Sequence, residues 1–180
     1  SKSFIFIKNV KKINEKKKID ITINKKDYCF ETSLIGDIQI KNLILAIIAA
    51  YLSGLKINNI LKIINKIKPI DGRFEKIGKL KNKAKIILDY AHTPHALKTL
   101  LINIKKDFPL SKISLVFGCG GNRDENKRSM MGIIARNYCN NIYLTDDNPR
   151  FESPKLIRDQ IKKGLKTKKF FEIPSRTKAI

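Results

Sequence analysis

The sequence predicts an α/β protein whose second half is a mostly parallel sheet with helices on both faces. From Lys85 onward, short apolar runs alternate with helical patterns in the order strand, helix, strand, helix, strand, helix, strand. Parallel strands need a crossover connection, usually a helix, so this order indicates a parallel sheet covered by helices. Residues 1–35 instead alternate apolar and polar positions, which is typical of half-buried strands joined by hairpins. We therefore expect two regions of different architecture.

Three strands and then two helices are expected in the first region. The strands cover Phe4–Ile7, Ile19–Ile23 and Tyr28–Phe30, with a hairpin connection at Asn24–Asp27. The lysine run Lys16–Lys18 is interpreted as a solvated loop.

The first helix, Ile40–Ser53, is apolar nearly all round and is stopped by Gly54, so we expect it to be buried. The second helix, Asn58–Ile67, carries its apolar residues on one face, and Asn58 is its expected N-cap.

A domain boundary is predicted where Pro69–Gly72 interrupts the helical pattern, which gives domains at 1–71 and 72–180. The elements predicted for the second domain are strands at Arg73–Ile77, Ile86–Leu88, Ile113–Phe117, Ile142–Thr145 and Phe170–Ile173, and helices at Pro94–Asp107, Lys127–Cys139 and Pro154–Leu165. Thr93 and Ser153 are each followed by proline, so both are expected N-caps with proline at the first helical position.

The net charge of +22 would by itself indicate a nucleic acid or an anionic membrane surface as partner. Of the 38 basic residues, however, 7 are arginine and the other 31 are lysine. Lysine, isoleucine and asparagine together make 77 of the 180 residues, and their codons are rich in A and T. Because arginine is the usual reader of bases and phosphates, this composition favours a biased genome over nucleic-acid binding.

Composition also disfavours disulfides, structural zinc and a membrane span. The three cysteines, Cys29, Cys119 and Cys139, show neither a CxxC spacing nor a paired histidine, so a reduced cytosolic protein is expected. The longest apolar run, Leu43–Leu52, has ten residues, against about 20 for a transmembrane helix. No signal peptide is expected. The first residue, Ser1, is not methionine, which indicates a fragment or a processed chain.

Two arginines identify the candidate site. Arg123 and Arg150 each follow the carboxyl end of a predicted strand, where ligands bind in open α/β sheets. Their planar guanidinium groups match carboxylates or phosphates. Gly118, Gly120 and Gly121 are expected to leave backbone N–H groups open to an anion.

Three further residues have side chains that could take part in binding or chemistry. Asp89 ends a predicted strand, where a carboxylate can accept hydrogen bonds from ribose hydroxyls. His92, in the turn that follows, either contacts a nucleotide or ties the turn together, and for the residue alone the second interpretation is favoured. Cys119 has no neighbouring base in the sequence, which disfavours a nucleophilic role.

Four motifs together resemble the Mur ligase family: Gly72-Arg73-Phe74-Glu75, Asp89-Tyr90-Ala91-His92-Thr93-Pro94, Phe117 to Asp124, and Asp147-Asn148-Pro149-Arg150. They occur in the family's order, and Gly36 to Asn42 is similar to the start of a helix at the end of the family's central ATPase domain. The resemblance implies the tail of that domain followed by most of a Rossmann-like C-terminal domain.

The resemblance implies an ADP-forming amide ligase of cytoplasmic peptidoglycan synthesis. Its substrates would be UDP-N-acetylmuramoyl-L-alanyl-D-glutamate, meso-diaminopimelate and ATP with Mg²⁺, and the peptide carboxylate would be activated as an acyl phosphate. Asn42 and Arg73 match positions that contact ATP, Asp89 matches the position that binds its ribose, and His92 is expected to lie beside the nucleotide. A monomer is expected, with neither a membrane nor nucleic acid as partner.

The same resemblance places the amino-acid substrate at Arg123, Asp147, Asn148, Pro149 and Arg150. The Asp-Asn-Pro-Arg sequence is similar to the diaminopimelate version of the motif, and lysine-adding relatives carry a different residue where Arg150 stands. Diaminopimelate has one more carboxylate than lysine, and we expect Arg150 to be a buried arginine that favours that charge.

The chain also departs from the family pattern. Gln39 stands where the family usually has asparagine. The family's P-loop, carbamylated lysine and Mg²⁺ ligands would precede Ser1, and a glycine-lysine-glycine-histidine-glutamate motif that completes the amino-acid pocket would follow Ile180. We therefore expect the 180 residues to be inactive alone.

Three alternatives remain at this stage. One is another ligase of the same architecture, either lysine-adding or a folylpolyglutamate synthetase. The second is a basic nucleic-acid-binding domain. The third is a binding or structural domain without activity.

Overall fold

The computed structural model describes residues 5–180. The described chain divides into two compact units, one ending at Asp89 and the other running from Tyr90 to Ile180. Each unit has a hydrophobic core of its own.

The first unit combines a three-stranded sheet, two helices and a hairpin. Its elements are β1 (Ile5–Ile13), β2 (Lys16–Ile23), β3 (Lys26–Thr32), α1 (Asp37–Leu52), α2 (Ile57–Ile63), a 3₁₀ turn (Ile64–Lys66), β4 (Glu75–Lys79) and β5 (Lys85–Leu88). Phe4, where the first predicted strand begins, lies outside the described residues.

Strand β2 is the middle strand of the antiparallel sheet β1-β2-β3. Its alternate residues Ile19, Ile21 and Ile23 are buried because successive side chains of a strand point to opposite faces. Together with Phe30 of β3 they belong to the core that α1 completes. The three predicted strands are thus confirmed within the described residues, with longer bounds.

The interpretation of Lys16–Lys18 as a solvated loop is wrong. All three lysines belong to β2, and the connection from β1 is a two-residue turn that begins at Asn14. Asn14 has a φ of 55°, a left-handed conformation in which asparagine is enriched. Lys17 is only 6% exposed and lies opposite Thr32 of β3 in the sheet. Such burial is possible for a lysine because its apolar stem can lie buried while its ammonium group reaches water.

Helix α1 buries one face, although its sequence is apolar nearly all round. The buried residues Ile40, Leu43, Ile44 and Ile47 recur at the spacing of one helix face. On the other side Leu45 is 63% exposed. The expectation that the whole helix is buried is therefore wrong for this unit.

The second predicted helix, 58–67, is shorter in the structure and continues as the 3₁₀ turn. Its expected N-cap is wrong, because Asn58 lies within the first turn and Lys56 occupies the cap position without a side-chain hydrogen bond. Ile60 and Ile64 are buried, as the apolar spacing predicts.

Strand β4 begins at Glu75 and not at Arg73, where the prediction placed it. Phe74 has a φ of 49°, a left-handed conformation that a bulky residue rarely adopts and that ends an extended run. Its side chain is 2% exposed, and its ring atoms lie 3.2 Å from the position that a Cβ on Gly36 would occupy. The burial of this ring against Gly36 accounts for the later start of the strand.

Strands β4 and β5 form an antiparallel hairpin. The sequence order assigned Ile86–Leu88 to the parallel sheet, but its hydrogen-bonded neighbour is β4. Glu15, in the turn before β2, contacts Lys76 and Lys79 of β4 at 2.9 and 2.8 Å, so the hairpin is tied to the first sheet by ion pairs.

The second unit alternates helices and strands as predicted. Its elements are α3 (Pro94–Asp107), β6 (Ser114–Phe117), α4 (Asn126–Tyr138), β7 (Asn141–Leu144), α5 (Pro154–Leu165), β8 (Phe171–Glu172) and α6 (Arg176–Ala179). Strands β6, β7 and β8 form a parallel sheet in that order. The predicted mixed α/β class with a parallel sheet is therefore confirmed.

Both crossovers of the parallel sheet run in the same direction, from β6 to β7 and from β7 to β8. Right-handed crossovers then put α4 and α5 on one face of the sheet. The two helices meet at glycines: a Cβ on Gly132 would lie 2.3 Å from the carbonyl oxygen of Ile161, and one on Gly164 would lie 1.9 Å from that of Ser129. This close approach fixes the two helices that follow the candidate loops.

The two predicted helix starts with proline differ in their caps. Thr93 accepts a hydrogen bond from the backbone N–H of Ala96, which confirms it as the N-cap of α3. Ser153 occupies the N-cap position of α5 with extended backbone angles, but its side chain makes no capping hydrogen bond.

Candidate functional site

The candidate site lies at the carboxyl edge of the parallel sheet, where two loops meet. The glycine turn (residues 118–124) follows β6, and the acidic loop (residues 145–152) follows β7. The backbone N–H of Thr145 donates to the carbonyl oxygen of Phe117 at 3.0 Å, and that of Gly121 donates to Asn148 at 2.9 Å. The loops are therefore held side by side, as their positions after neighbouring parallel strands predict.

The glycines allow this close contact. A Cβ on Gly118 would lie 2.2 Å from the carbonyl oxygen of Thr145, and one on Gly121 would lie 1.9 Å from that of Pro149. Since the N–H of Gly121 is bonded to Asn148, its predicted role as an open anion donor is wrong. The glycine turn serves as a packing surface for the acidic loop.

Arg150 is exposed, so the expectation of a buried arginine is wrong, and its guanidinium lies over the glycine turn. Its Nη1 donates to the carbonyl oxygen of Gly121 at 2.7 Å, and its backbone N–H donates to Oδ1 of Asn148 at 3.2 Å. Arg150 has a φ of 51°, in the left-handed region that few non-glycine residues adopt. Strain of this kind persists where surrounding contacts fix the backbone and is common at functional sites.

Arg123 is exposed in the glycine turn, next to a residue that joins both loops. Oδ1 of Asn122 accepts from the backbone N–H of Phe151 at 3.1 Å, and the N–H of Asn122 donates to Glu152. Asn122 has a φ of 49°, which asparagine tolerates. The structure thus brings the loops of the two predicted arginines, Arg123 and Arg150, into direct contact.

The rest of the predicted Asp-Asn-Pro-Arg motif shows turn chemistry. Oδ1 of Asp147 accepts from the N–H of Asn148 at 2.8 Å, and Pro149 accepts from the N–H of Glu152 at 3.0 Å. The side chains of Asp147 and Asn148 are exposed at the edge. Oδ2 of Asp147 lies 3.7 Å from Nη2 of Arg176.

An ion cluster around the buried Arg158 lies next to the acidic loop. Arg158 of α5 donates to Asp146 and, at 2.8 Å, to Glu172 of β8. The Arg158 guanidinium holds the pKa of Glu172 below its usual range. Arg176 donates to the carbonyl oxygen of Asp146 at 3.0 Å. Together with Cys119 and Pro154, residues of this cluster line a shallow depression.

A second ion pair, whose arginine is buried, was not predicted from the sequence. Arg128, in the first turn of α4, is 0% exposed and binds Glu152 of the acidic loop. Its guanidinium and the N–H of Asn122 hold the pKa of the Glu152 carboxyl below its usual value.

One signal for these residues was present in the sequence. Among 7 arginines, five lie in or just after the segments that follow β6, β7 and β8: Arg123, Arg128, Arg150, Arg158 and Arg176. In a chain with 31 lysines, this concentration of the other basic residue marks the carboxyl edge of the sheet.

The first unit contains three of the residues predicted to contact ATP, and hydrogen bonds connect the segments of two of them, Arg73 and Asp89. Nε2 of Gln39 donates to the carbonyl oxygen of Arg73 at 2.6 Å, and the N–H of Phe74 donates to Oδ2 of Asp89 at 2.7 Å. Asn42 is exposed on α1, one turn after Gln39. Gln39, the departure from the family pattern, therefore supports the segment that carries Arg73.

His92 ties its own turn together, as the structural interpretation predicted. Its Nδ1 lies 3.1 Å from the carbonyl oxygen of Tyr90, and the two rings are 5.2 Å apart. Nζ of Lys127 donates to the carbonyl oxygen of His92 at 3.0 Å. A contact of the exposed ring with a nucleotide stays a prediction.

Cys119 is buried, and burial raises its pKa to about 11. Its Sγ lies 3.6 Å from Sδ of Met131. A thiol of this kind is a weak nucleophile, in agreement with the sequence. Within residues 5–180, no group of three His, Cys, Asp or Glu side chains is placed to hold a metal ion. None of the helices in this range is long and apolar enough to cross a membrane.

Residues 72–180 match the family described as Mur ligase, glutamate ligase domain. The chain belongs to the Mur ligase family. Mur ligases as a family use ATP and Mg²⁺. The family match begins at residue 72, whereas the two compact units meet at Asp89 and Tyr90, so the domain limits 1–71 and 72–180 stay a prediction.

Several curated relatives carry the name UDP-N-acetylmuramoyl-L-alanyl-D-glutamate--2,6-diaminopimelate ligase. The protein of this name from Rickettsia typhi is 44% identical over 163 residues, which are 90% of this chain and 32% of that protein. The one from Blochmanniella floridana is 43% identical over 130 residues, 72% of this chain and 26% of that protein. The chain thus spans a third or less of the length of these two relatives.

Solved structures show the same architecture. A UDP-N-acetylmuramoyl-L-alanyl-D-glutamate--2,6-diaminopimelate ligase is 30% identical with a TM-score of 0.66, over 99% of this chain and 36% of that one. A folylpolyglutamate synthase from Mycobacterium tuberculosis, complexed with ADP, has a TM-score of 0.77 at 14% identity, over 99% of this chain and 39% of that one. The second likeness shows the fold alone.

Proposed function

We propose that this chain serves in a cytoplasmic, monomeric, ATP-dependent ligase that adds meso-diaminopimelate to UDP-N-acetylmuramoyl-L-alanyl-D-glutamate in peptidoglycan precursor synthesis. The family match and the names of the relatives support this reaction class. They do not favour a lysine-adding ligase, a folylpolyglutamate synthetase or a nucleic-acid-binding domain. Because the chain spans about a third of those relatives, its own contribution is a part of the reaction.

The observation that carries the proposal is the placement of Arg150. Its guanidinium is anchored on one side by the carbonyl oxygen of Gly121, on an exposed edge shared with the loop of Arg123. An anchored guanidinium presents its remaining N–H groups in a fixed direction, which suits bidentate recognition of a carboxylate. Meso-diaminopimelate differs from lysine by one carboxylate, and Arg150 is the proposed reader of that group.

The other predicted substrate residues complete a zwitterion site in this proposal. Arg123 attracts carboxylate, and the exposed Asp147 and Asn148 offer oxygen acceptors to an ammonium group. Pro149 fixes the backbone of the loop and packs its carbonyl against the glycine turn. The chain's role is to bind and orient the amino acid so that its amine meets the activated peptide. None of these residues is assigned as a general base.

Asn42, Arg73, Asp89 and His92 are proposed to contact ATP. The donor set fits a nucleotide: Asp89 has a carboxylate for ribose hydroxyls and is oriented by the N–H of Phe74, and Arg73 supplies a cation. When bound, ATP with Mg²⁺ supplies the activation of the peptide carboxylate.

Calorimetric titration of the chain with meso-diaminopimelate and with L-lysine tests the proposal. Arg150→Ala is expected to weaken diaminopimelate binding by about 1.5–3 kcal/mol, because it removes the charged hydrogen-bond partner of the second carboxylate, and to leave lysine binding nearly unchanged. Arg136→Ala, at the far end of α4, is the matched control. Equal binding of diaminopimelate by the wild-type chain and Arg150→Ala would contradict the assignment.

A further inference from the structure

Arg128 is a fully buried charge that touches both loops of the candidate site without reaching its surface. We propose that Arg128 is a positioning residue, whose guanidinium holds the glycine turn and the acidic loop in register and thereby sets the positions of Arg123 and Arg150. The inference rests on the proposed function of this edge.

The contacts of Arg128 form a planar fork. Nη1 and Nη2 bind the two oxygens of Glu152 at 2.7 and 2.9 Å, a bidentate ion pair. Nη2 also donates to the carbonyl oxygen of Gly120 at 3.3 Å, and Nη1 donates to Oε1 of Gln160 on α5. One side chain thus joins the start of α4 to the glycine turn, the acidic loop and α5.

Glu152 extends this connection to the residues beside the arginines. Its Oε1 accepts from the N–H of Asn122, the residue before Arg123. Its own N–H donates to the carbonyl oxygen of Pro149, the residue before Arg150. A displacement of this carboxylate would therefore move the backbone next to both substrate arginines.

The connection continues to the guanidinium of Arg150. Arg128 holds the carbonyl of Gly120, and the next residue, Gly121, accepts from Nη1 of Arg150 and donates to Asn148. The anchor of Arg150 is thus one residue away from a direct contact of Arg128.

Stability alone does not account for a buried arginine here. A buried ion pair is weak evidence for stability, because its desolvation penalty can exceed its Coulombic gain. Nε of Arg128 is buried without a hydrogen-bond partner among the described residues, which adds to that cost. A lysine would supply a point charge without the planar fork, so only arginine can hold both Glu152 oxygens and Gly120 together.

Hydrogen exchange followed by NMR on the free chain tests the proposal independently of any ligand. Arg128→Lys is expected to speed exchange at the amides of Gly121 and Asn122 by about tenfold or more, since a local opening costs less. The rest of α4 and α5 should exchange as in the wild type. Glu152→Gln is the second variant in case the lysine variant fails to fold, and it should act in the same direction. Arg136→Lys, on the same helix, is the control.

The ratio of the affinities for two amino acids is a second readout, which a purely structural role of Arg128 would leave unchanged. Arg128→Lys should lower the ratio of meso-diaminopimelate to L-lysine affinity by about tenfold or more, because displacement by about 1 Å is costly in an oriented site. Unchanged exchange at the amides of Gly121 and Asn122 would overturn the positioning role. A loss of protection spread evenly over the whole second unit would overturn it too. An unchanged affinity ratio would overturn it as well. If the wild-type chain binds neither amino acid, the proposed function fails, and the exchange data alone decide the role of Arg128.

Discussion

At the scale of single residues, arginine geometry organises the carboxyl edge of the sheet. Arg128 and Arg158 are buried and bound to carboxylates, whereas Arg123 and Arg150 are exposed. The buried pair holds loops and the exposed pair is the proposed contact of the substrate, so one residue type would have two uses at the same edge of the sheet. Lysine, which makes most of the chain's positive charge, lacks the planar fork that both uses require.

The ion pairs of this edge predict a pH dependence of stability. Arg128 lowers the pKa of Glu152 and Arg158 lowers that of Glu172, both from an ordinary value of 4.5. A lowered pKa in the folded state stabilises the fold above pH 4.5, and this contribution is lost as the pH falls through the folded-state pKa.

We therefore expect the unfolding temperature to fall when the pH is lowered from about 7 to about 3. Glu152→Gln should be less stable than the wild type at neutral pH and lose less on acidification. The control is Glu125→Gln, because the carboxylate of Glu125 accepts a hydrogen bond from the side-chain amide of Gln160 and not from an arginine. Parallel pH profiles for wild type and Glu152→Gln would show that this ion pair does not contribute.

At the scale of elements, the packing of α4 on α5 positions both loops. α4 begins after the glycine turn and α5 after the acidic loop, so their separation fixes the distance between the loop ends. Gly132 and Gly164 set that separation, because a Cβ at either position would lie within 2.3 Å of a backbone oxygen of the other helix.

Gly164→Ala tests this helix contact. In an exposed helix the change would stabilise by roughly 1 kcal/mol, because alanine has the higher helix propensity. Here we expect a net loss of about 1–3 kcal/mol in the free energy of unfolding, since the helices must separate. Urea unfolding measures it. Gly78→Ala, where a Cβ meets nothing within 4 Å, is the control, and a stabilised Gly164→Ala would contradict the close contact.

Helix caps give a second test at this scale. Thr93→Ala removes the hydrogen bond to the N–H of Ala96 and should cost about 1 kcal/mol of stability. Ser153→Ala removes no capping bond and should cost only a few tenths of that. Thermal unfolding of both variants compares them directly, and equal losses would show that the two caps do not differ in solution.

At the scale of the whole molecule, periodicity predicted most elements and missed those set by tertiary contacts. The bounds of α3 and α5 follow from apolar spacing and the proline starts. The late start of β4 does not, because it depends on the ring of Phe74 packing against Gly36, far away in sequence. Lys17 enters a strand for the same kind of reason, since its neighbour Thr32 lies on another strand.

The candidate site also contains residues that the sequence identifies and residues that only tertiary contacts reveal. Arg123 and Arg150 were found because each follows a strand, and local order is readable in sequence. Arg128 and Glu152 are 24 residues apart, and only the folded chain pairs them. Periodicity reports which side chains share a face, and it does not report which partner a buried charge finds.

The net charge of +22 predicts how the whole molecule meets polyanions. We expect binding to DNA to fall steeply with salt and to show no preference between duplexes of different sequence, because most of the excess positive charge is carried by lysine. Fluorescence anisotropy with two unrelated duplexes at several salt concentrations measures both properties. A sequence preference that survives at physiological salt would favour the nucleic-acid alternative.

The measurement that tests the central claim most directly is NMR of arginine side-chain nitrogens during titration. We predict that meso-diaminopimelate shifts the guanidinium signal of Arg150 saturably, and that L-lysine at the same concentrations does not, because only the first ligand brings the second carboxylate. Equal shifts with both ligands, or a saturable shift elsewhere that leaves Arg150 unchanged, would contradict the claim that this edge selects diaminopimelate.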